Sequence, residues 1–354
     1  MKEQDRRVIG GVDAHADTHH AAVLDDRGGM LATKSFAVSA AGYRELLKWL
    51  RSFGEIDRIG VESTGSYAAG LTRYLGAEKL RVLEVNQPHA HTRRRRGKTD
   101  AIDAEMAARH ALSLATVVTP KQTTGIVESI RQLRVAREGA VKSRSAAMLQ
   151  LGDLILTAPS DLREQLATRK SLKGKATLCR RLRPDTSRLS DPVNAAKLAL
   201  RSLARRIAAL DEEIAELDTQ LEPLVATAAP RTTALLGIST GHAGQLLLTA
   251  GQNIDRLRSE GAFAALCGAS PIPVASGKRG RYRLNPGGDR QANRALHMIA
   301  VCRLRCCPDT RAYAARRTTE GKTKKEIMRC LKRYIAREAY ATLRDDLSSL
   351  ASPS

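Results

Sequence analysis

Apolar positions recur at two different spacings along the first third of the chain. VIGGVD (8–13), HAAVLDD (20–26) and MLATKSFAV (30–38) are short β-rich runs between turn residues, and they predict three strands. Asp25-Asp26-Arg27-Gly28-Gly29 predicts a hairpin between the second and third. In AGYRELLKWLRSF (41–53) the spacing changes to three and four, with Leu46, Leu47 and Leu50 on one face of an amphipathic helix. RIGVES (58–63) predicts a fourth strand, 66–76 a short helix, and LRVLEV (80–85) a fifth strand closed by Asn86-Gln87-Pro88. A further helix is predicted to start near Thr99, with Asp100 and Asp103 in its first turn, and to end before Pro120.

A three-strand meander followed by helix, strand, helix, strand and helix is the order of an RNase H-like domain, although other α/β folds share pieces of it. Beyond it, 125–157 predicts a polar, basic helix and 160–191 a broken basic stretch. Leu200, Leu203, Ile207, Leu210, Ile214, Leu217, Leu221 and Leu224 then repeat at alternating steps of three and four, the seam of a coiled coil. That seam fits either an antiparallel partner within the chain (125–157) or a contact between protomers, and Pro223 is expected to end it. Residues 235–242 fit either a helix-hairpin-helix turn or a plain connection between helices. A helix around 256–267, a Gly/Pro-rich loop (267–289) and two helices (about 290–306 and 322–346) are expected to complete the chain. The expected division is 1–119, 120–228 and 229–354.

Composition narrows the partner. Lys plus Arg number 59 against 37 Asp plus Glu, a formal charge of +22, which points to a polyanion. Residues 271–340 alone carry 18 Lys/Arg against 5 Asp/Glu, where a solvated face would mix signs. Aromatic residues are only 3%, so cores must be filled by Leu, Ile, Val and Ala, which disfavours a β-sandwich. No apolar run is long enough for a membrane span and no signal peptide is read at the N-terminus, so a cytoplasmic location is expected. The six Cys lack paired CxxC spacing, so free thiols are expected rather than zinc ligands.

Four acids occupy places where chemistry would need them. Asp13 ends the first strand, Glu62 the fourth, and Asp100 and Asp103 share a helix face. Strand-end carboxylates repel one another, and hard divalent cations relieve that cost. Each acid alone also fits a turn or a helix-end charge; together, beside the basic loop HTRRRRGKT (Arg93, Arg94, Arg95, Arg96, Lys98), they suggest metal-assisted phosphoryl transfer. The opening GVDAHADTH lacks the glycine that an ATPase phosphate loop places after its aspartate. Ser276, in PVASGKRG, is a hydroxyl among small residues with Lys278, Arg279, Arg281 and Arg283 beyond it. This fits a nucleophile with cations for non-bridging oxygens, or a loop turn whose cations bind backbone phosphates.

Taken together, GVDAH, GVES-TGSY, the basic loop running into KTDAIDAE, the heptad helix and ALCGASPIPVASGKRG…NPGGDRQANRALHMIA resemble the DEDD transposases of insertion-sequence family one-ten, in the same order over nearly the whole chain. The resemblance implies a RuvC-like, RNase H-like N-terminal domain, a coiled-coil middle and a mainly helical C-terminal transposase domain. It implies that Asp13, Glu62, Asp100 and Asp103 hold Mg²⁺, with Mn²⁺ as a substitute, and that Ser276 forms a covalent phosphoserine link to DNA. The partners it implies are donor and target DNA, contacted in part by Arg290 and Arg294, and a structured bridge RNA pairing with both. It further implies a homodimer that pairs into a tetramer, with composite active sites, in the nucleoid-associated bacterial cytoplasm. Two other readings fit the same residues: a RuvC-like junction endonuclease using water alone, and a non-catalytic nucleic-acid-binding protein.

Overall fold

The computed structural model describes residues 6–85, 99–114, 117–253, 258–276, 279–283 and 285–351. Strands β1 (Arg7–Ala14), β2 (Thr18–Asp25) and β3 (Met30–Ala37) form the expected antiparallel meander. They are followed by α1 (Ala40–Arg51), β4 (Glu55–Val61), α2 (Ala69–Ala77), β5 (Val82–Val85), α3 (Asp100–Ser113) and a short β6 (Val117–Val118). The sheet order is β3-β2-β1-β4-β5-β6, with β1, β4 and β5 parallel and β6 antiparallel to β5. A mixed sheet in this order is compatible with the RNase H-like expectation.

Strand parity divides the sheet into two faces. Val8, Val12, Ile59 and Val61 join Leu46, Leu47 and Leu50 of α1 and Leu71 and Leu75 of α2 in one apolar core. Ile9, Leu24 and Leu83 point the other way, onto Ala108 and Ala111 of α3. Gly11 of β1 and Gly60 of β4 lie on that second face. A Cβ built on Gly11 would stand 2.2 Å from the Ala104 carbonyl oxygen, and one on Gly60 2.3 Å from that of Ala107. Helix α3 therefore rests nearly backbone-to-backbone on the sheet. Its contact face, Ala104, Ala107, Ala108 and Ala111, is fully buried and made of methyl groups.

The chain separates into two compact units, Met1–Val127 with Leu246–Ser354, and Glu128–Gln245. The second unit is helical, built on most of α4 (Gly125–Leu156), then α5 (Ser160–Ala167), α6 (Leu172–Cys179) and α7 (Pro192–Ala228). Arg137 forms a two-pronged ion pair with Asp218, and Arg144 pairs with Asp211. A seven-residue advance on α4 matches a seven-residue retreat on α7, so the helices run antiparallel. Ala147, Leu151 and Ile155 share a core with Leu200, Ala204 and Ile207. The heptad face thus has a partner within its own chain, one of the two expected. Pro223 does not end α7, which continues to Ala228. Leu221, Val225 and Ala228 keep the buried stripe going on both sides of the proline, and this packing offsets the lost backbone bond.

Next come α8 (Pro230–Thr233) and α9 (Thr240–Ala250), joined through Gly237 at φ +77°. The Ser239 hydroxyl accepts from the His242 N–H at the start of α9. The C-terminal part contains α10 (Glu260–Leu266), β7 (Ile272–Ser276), β8 (Arg279–Arg283), α11 (Arg290–Cys306), α12 (Pro308–Thr319) and α13 (Lys324–Ala351). Two features depart from expectation: the Gly/Pro-rich loop contains the β7–β8 hairpin, and α12 stands between the two expected helices. All six cysteines are free thiols, and no helix among the described residues is long and apolar enough to cross a membrane.

Candidate active site

Asp13, Asp100 and Asp103 gather where α3 meets the end of β1, and Glu62 follows the neighbouring strand β4. Asp13 is two residues beyond Gly11, and Glu62, just after β4, is two beyond Gly60, so both follow the face on which α3 sits. The Glu62 N–H donates to the Val12 carbonyl at 3.0 Å, which ties the two strand ends together. Thr99 caps α3 through its hydroxyl, and Asp100 and Asp103 fill the first turn. Because α3 is seated on glycines, its N-terminus is brought close to the sheet. Asp13, Glu62 and Asp103 are 7%, 5% and 4% exposed, while Asp100 lies more open at the rim.

Burial pushes the Asp13 carboxyl above its ordinary pKa, opposed by His15, and the charges of Asp103 and Asp100 raise it further. That is the electrostatic sign of carboxylates gathered in one place. His15 Nε2 lies 3.0 Å from Asp13 Oδ2 and 3.4 Å from Asp100 Oδ1. His20 Nε2 lies 3.2 Å from Asp100 Oδ2. Ligand atoms of Asp13, His15 and Asp100 all fall within 4.8 Å of one another, with Glu62 and Asp103 buried on neighbouring elements outside that triad. An oxygen-rich donor set of this kind, with one imidazole, fits a hard divalent cation.

His15 and His20 are the site residues that sequence reasoning missed. His20 is the cross-strand partner of Asp13, and its parity with Leu24 puts it on the α3 face. Those two facts were the available signal, but they become visible only once the β1–β2 register is known.

Ser276 belongs to the separate two-stranded sheet, paired in register with Arg279 across the turn. Lys278, together with the basic loop Arg93, Arg94, Arg95, Arg96 and Lys98, lies outside the described residues, as do the side chains of Ser276, Arg279 and Arg281. Arg283, Arg290 and Arg294 are exposed. The loop after the hairpin is tightly built. Asp289 caps α11 and accepts from the Thr249 hydroxyl at 2.7 Å, while the Asn293 amide donates to the carbonyls of Cys267 and Gly268.

Carboxylates from two adjoining strand ends and a helix N-terminus, on a basic protein, are the equipment of a nucleic-acid phosphoryl-transfer enzyme. Comparison with known proteins makes that class specific. A family model described as "Transposase", for the DEDD transposases of IS110 type, matches residues 10–158, and one described as "Transposase IS116/IS110/IS902 family" matches residues 231–315. The chain is 24% identical to the "Insertion element IS900 uncharacterized 42 kDa protein" of Mycobacterium paratuberculosis, over 96% of each chain. It is 29% identical to the "Insertion element IS110 uncharacterized 43.6 kDa protein" of Streptomyces coelicolor, over 41% of this chain and 36% of that one. The chain belongs to the IS110 family of DEDD transposases. Membership implies DNA recombination as its activity, DNA as its substrate and use of a divalent metal.

Proposed function

We propose that this transposase cuts and rejoins DNA through a covalent serine intermediate, with Asp13, Glu62, Asp100 and Asp103 holding Mg²⁺ beside the scissile phosphate. The gathering of Asp13, Asp100 and Asp103, with Glu62 buried after the neighbouring strand, supports the reading. A divalent cation held there supplies positive charge to the phosphate and eases deprotonation of an attacking hydroxyl. The Asp13 and Asp100 carboxylates would orient it, with His15 Nε2 3.0 Å from Asp13 Oδ2 and 3.4 Å from Asp100 Oδ1.

In this mechanism Ser276 Oγ bonds to phosphorus as the bond from phosphorus to the leaving nucleotide oxygen breaks. The serine proton passes to solvent, and the leaving oxygen takes one up. The phosphoserine ester conserves the bond, so a second DNA hydroxyl reseals the strand by attacking the same phosphorus and releasing the serine. Lys278, Arg279, Arg281 and Arg283 neutralise the non-bridging oxygens. Arg93, Arg94, Arg95, Arg96, Lys98, Arg290 and Arg294 hold nucleic-acid backbones. A bridge RNA supplies sequence choice by base pairing with donor and target, a division of labour that requires few base-reading side chains. In functional terms, residues 1–119 carry the acids, 120–228 the spacer and 229–354 the serine.

The assembled form in this reading is a dimer that pairs into a tetramer. Val135, Leu149 and Leu156, spaced in multiples of seven along α4, are all more than 60% exposed and give a second copy an apolar stripe to cover. Changing Leu149→Glu with Leu156→Glu is expected to lower the mass seen by light scattering; an unchanged mass would remove that support. For the chemistry, denatured reactions with labelled element-end DNA should contain a protein–DNA adduct that Ser276→Ala abolishes. Hydrolysis products with no adduct at any time would replace the serine mechanism with a water-dependent endonuclease.

A further inference from the structure

The C-terminal part of the larger unit holds a cavity of about 830 Å³, within the range of small-ligand sites. Its walls come from residues 268–271, β8, α13 and the end of α12. We propose that this cavity binds a single unpaired nucleotide of a nucleic-acid strand, its phosphate held by Lys322, Arg329 and Lys332 and its base stacked on Tyr334.

The cations fall into two sets. Arg333 and Arg337 share the carboxylate of Glu260, and Arg317 pairs with Glu320. Lys322, Arg329 and Lys332 line the same space and form no ion pair among the described residues. The acid beside them, Glu326, is turned to the N–H and hydroxyl of Thr323, where it completes a capping box. The Glu326 charge still acts on Lys322 and Arg329, so one carboxylate serves the three cations in part and a phosphate would complete the countercharge.

Lys332 is the strongest indication of a built site. It is 6% exposed, and its ammonium donates to a neutral acceptor, Asn293 Oδ1, at 2.9 Å. Asn293 is itself fixed by its two bonds to the Cys267 and Gly268 carbonyls. Beneath them Gly288 presses on Gly268 so closely that a Cβ there would stand 2.2 Å from the Gly268 nitrogen. Burial, and then Arg329, push the Lys332 ammonium below its ordinary pKa. A buried cation beside a like charge is costly unless an anion joins it.

The tyrosines extend the ligand beyond phosphate. Tyr282 and Tyr334 line the cavity with much of each ring exposed, and the Arg337 guanidinium lies 5.9 Å from the Tyr334 ring centre. Tyr334 also meets Tyr313 edge-to-face, with ring centres 5.6 Å apart, and partly exposed rings among cations are a recurring platform for unstacked bases, which a duplex does not offer. Binding here is independent of whether Ser276 is the nucleophile. It adds a place where a strand is read by its single-strandedness, next to the hairpin partner of the serine strand.

Cys330 lines the cavity and serves as a reporter, with exposed Cys302 as an internal reference. The full-length Ser276→Ala protein, which removes strand chemistry from the experiment, is mixed with twelve-nucleotide single-stranded DNA, single-stranded RNA, duplex DNA or inorganic phosphate. Alkylation is then followed peptide by peptide. Single strands of DNA or RNA are expected to slow alkylation at Cys330 and not at Cys302, and the ratio between the two strands identifies the source. A 2-aminopurine base in the strand should lose fluorescence on binding. Tyr334→Ala should weaken single-strand binding roughly tenfold while Tyr334→Phe restores it. Lys322→Ala with Arg329→Ala should flatten the logarithmic salt dependence by about 0.7, the share of one neutralised phosphate on a single strand. Equal protection by duplex or by inorganic phosphate, or undiminished binding by Tyr334→Ala, would overturn the assignment.

Discussion

Adding one methyl group at Gly11 tests whether the helix seat controls the acid cluster. The Cβ of Gly11→Ala would lie 2.2 Å from both the Ala104 oxygen and the Ala108 nitrogen, and 2.7 Å from the Ala108 methyl. Ordinary non-bonded separations are about 3.5 Å, so α3 must retreat by about 1 Å. The obstruction is backbone, which has no rotamer with which to move aside. Overpacking of this kind costs about 1–3 kcal/mol. The same shift displaces Asp100 and Asp103 from Asp13, and a misplacement of about 1 Å costs on the order of 100-fold in rate. Gly10→Ala is the control. It faces the opposite core, where its nearest neighbours are side-chain carbons of Leu50 and Ile59 at 3.2 and 3.3 Å. Thermal melting and recombination of element-end DNA are measured on both variants. Gly11→Ala should lose activity far beyond its loss of stability, while Gly10→Ala keeps its activity. A Gly11→Ala protein with wild-type activity would refute the argument, because the acids would then be placed independently of the seat.

Four further outcomes follow from the same geometry. The raised Asp13 pKa means that the folded state holds the proton more tightly than the unfolded one. Metal-free stability should therefore fall as pH rises from the ordinary aspartate pKa through the folded one, and Asp13→Asn should remove that slope and melt higher at neutral pH; superimposed melting profiles would contradict this. Mg²⁺ should raise the wild-type melting temperature at pH 7 and leave Asp13→Asn nearly unmoved, as read by scanning fluorimetry. Ile207→Ala, in the buried α4–α7 core, should cost about 2–5 kcal/mol by urea unfolding, against a smaller loss for the half-buried Leu210→Ala. Arg137→Ala should cost under about 1 kcal/mol, shrinking in high salt, because its pair with Asp218 is partly solvated.

Most of the acid-bearing domain was legible because its signals are local. The β-rich runs of β1 to β3 between turn residues, the leucine face of α1 and the Thr99 cap each depend on neighbours a few residues apart. The hairpin at 272–283 was hidden by Pro271, Pro273, Gly277 and Gly280, residues that read as loop. Helix α12 was hidden because it buries no residue and therefore has no apolar stripe to detect. Pro223 misled because a local breaker was outweighed by packing on either side of it. His15 and His20 gain their partner, Asp100, from a helix some eighty residues away, and no local spacing encodes that meeting.

The helical unit occupies residues 128–245, interrupting a unit whose own chain resumes at Leu246. Its two long helices are zipped by ion pairs that step seven residues forward on one and seven back on the other. Deleting or duplicating a matched heptad from each helix together would shorten or extend the pair while preserving its register. Unmatched changes of three or four residues would instead rotate one helix face out of alignment. Length variation among relatives should therefore come in balanced pairs within this insert, the one kind of change that leaves its packed face intact.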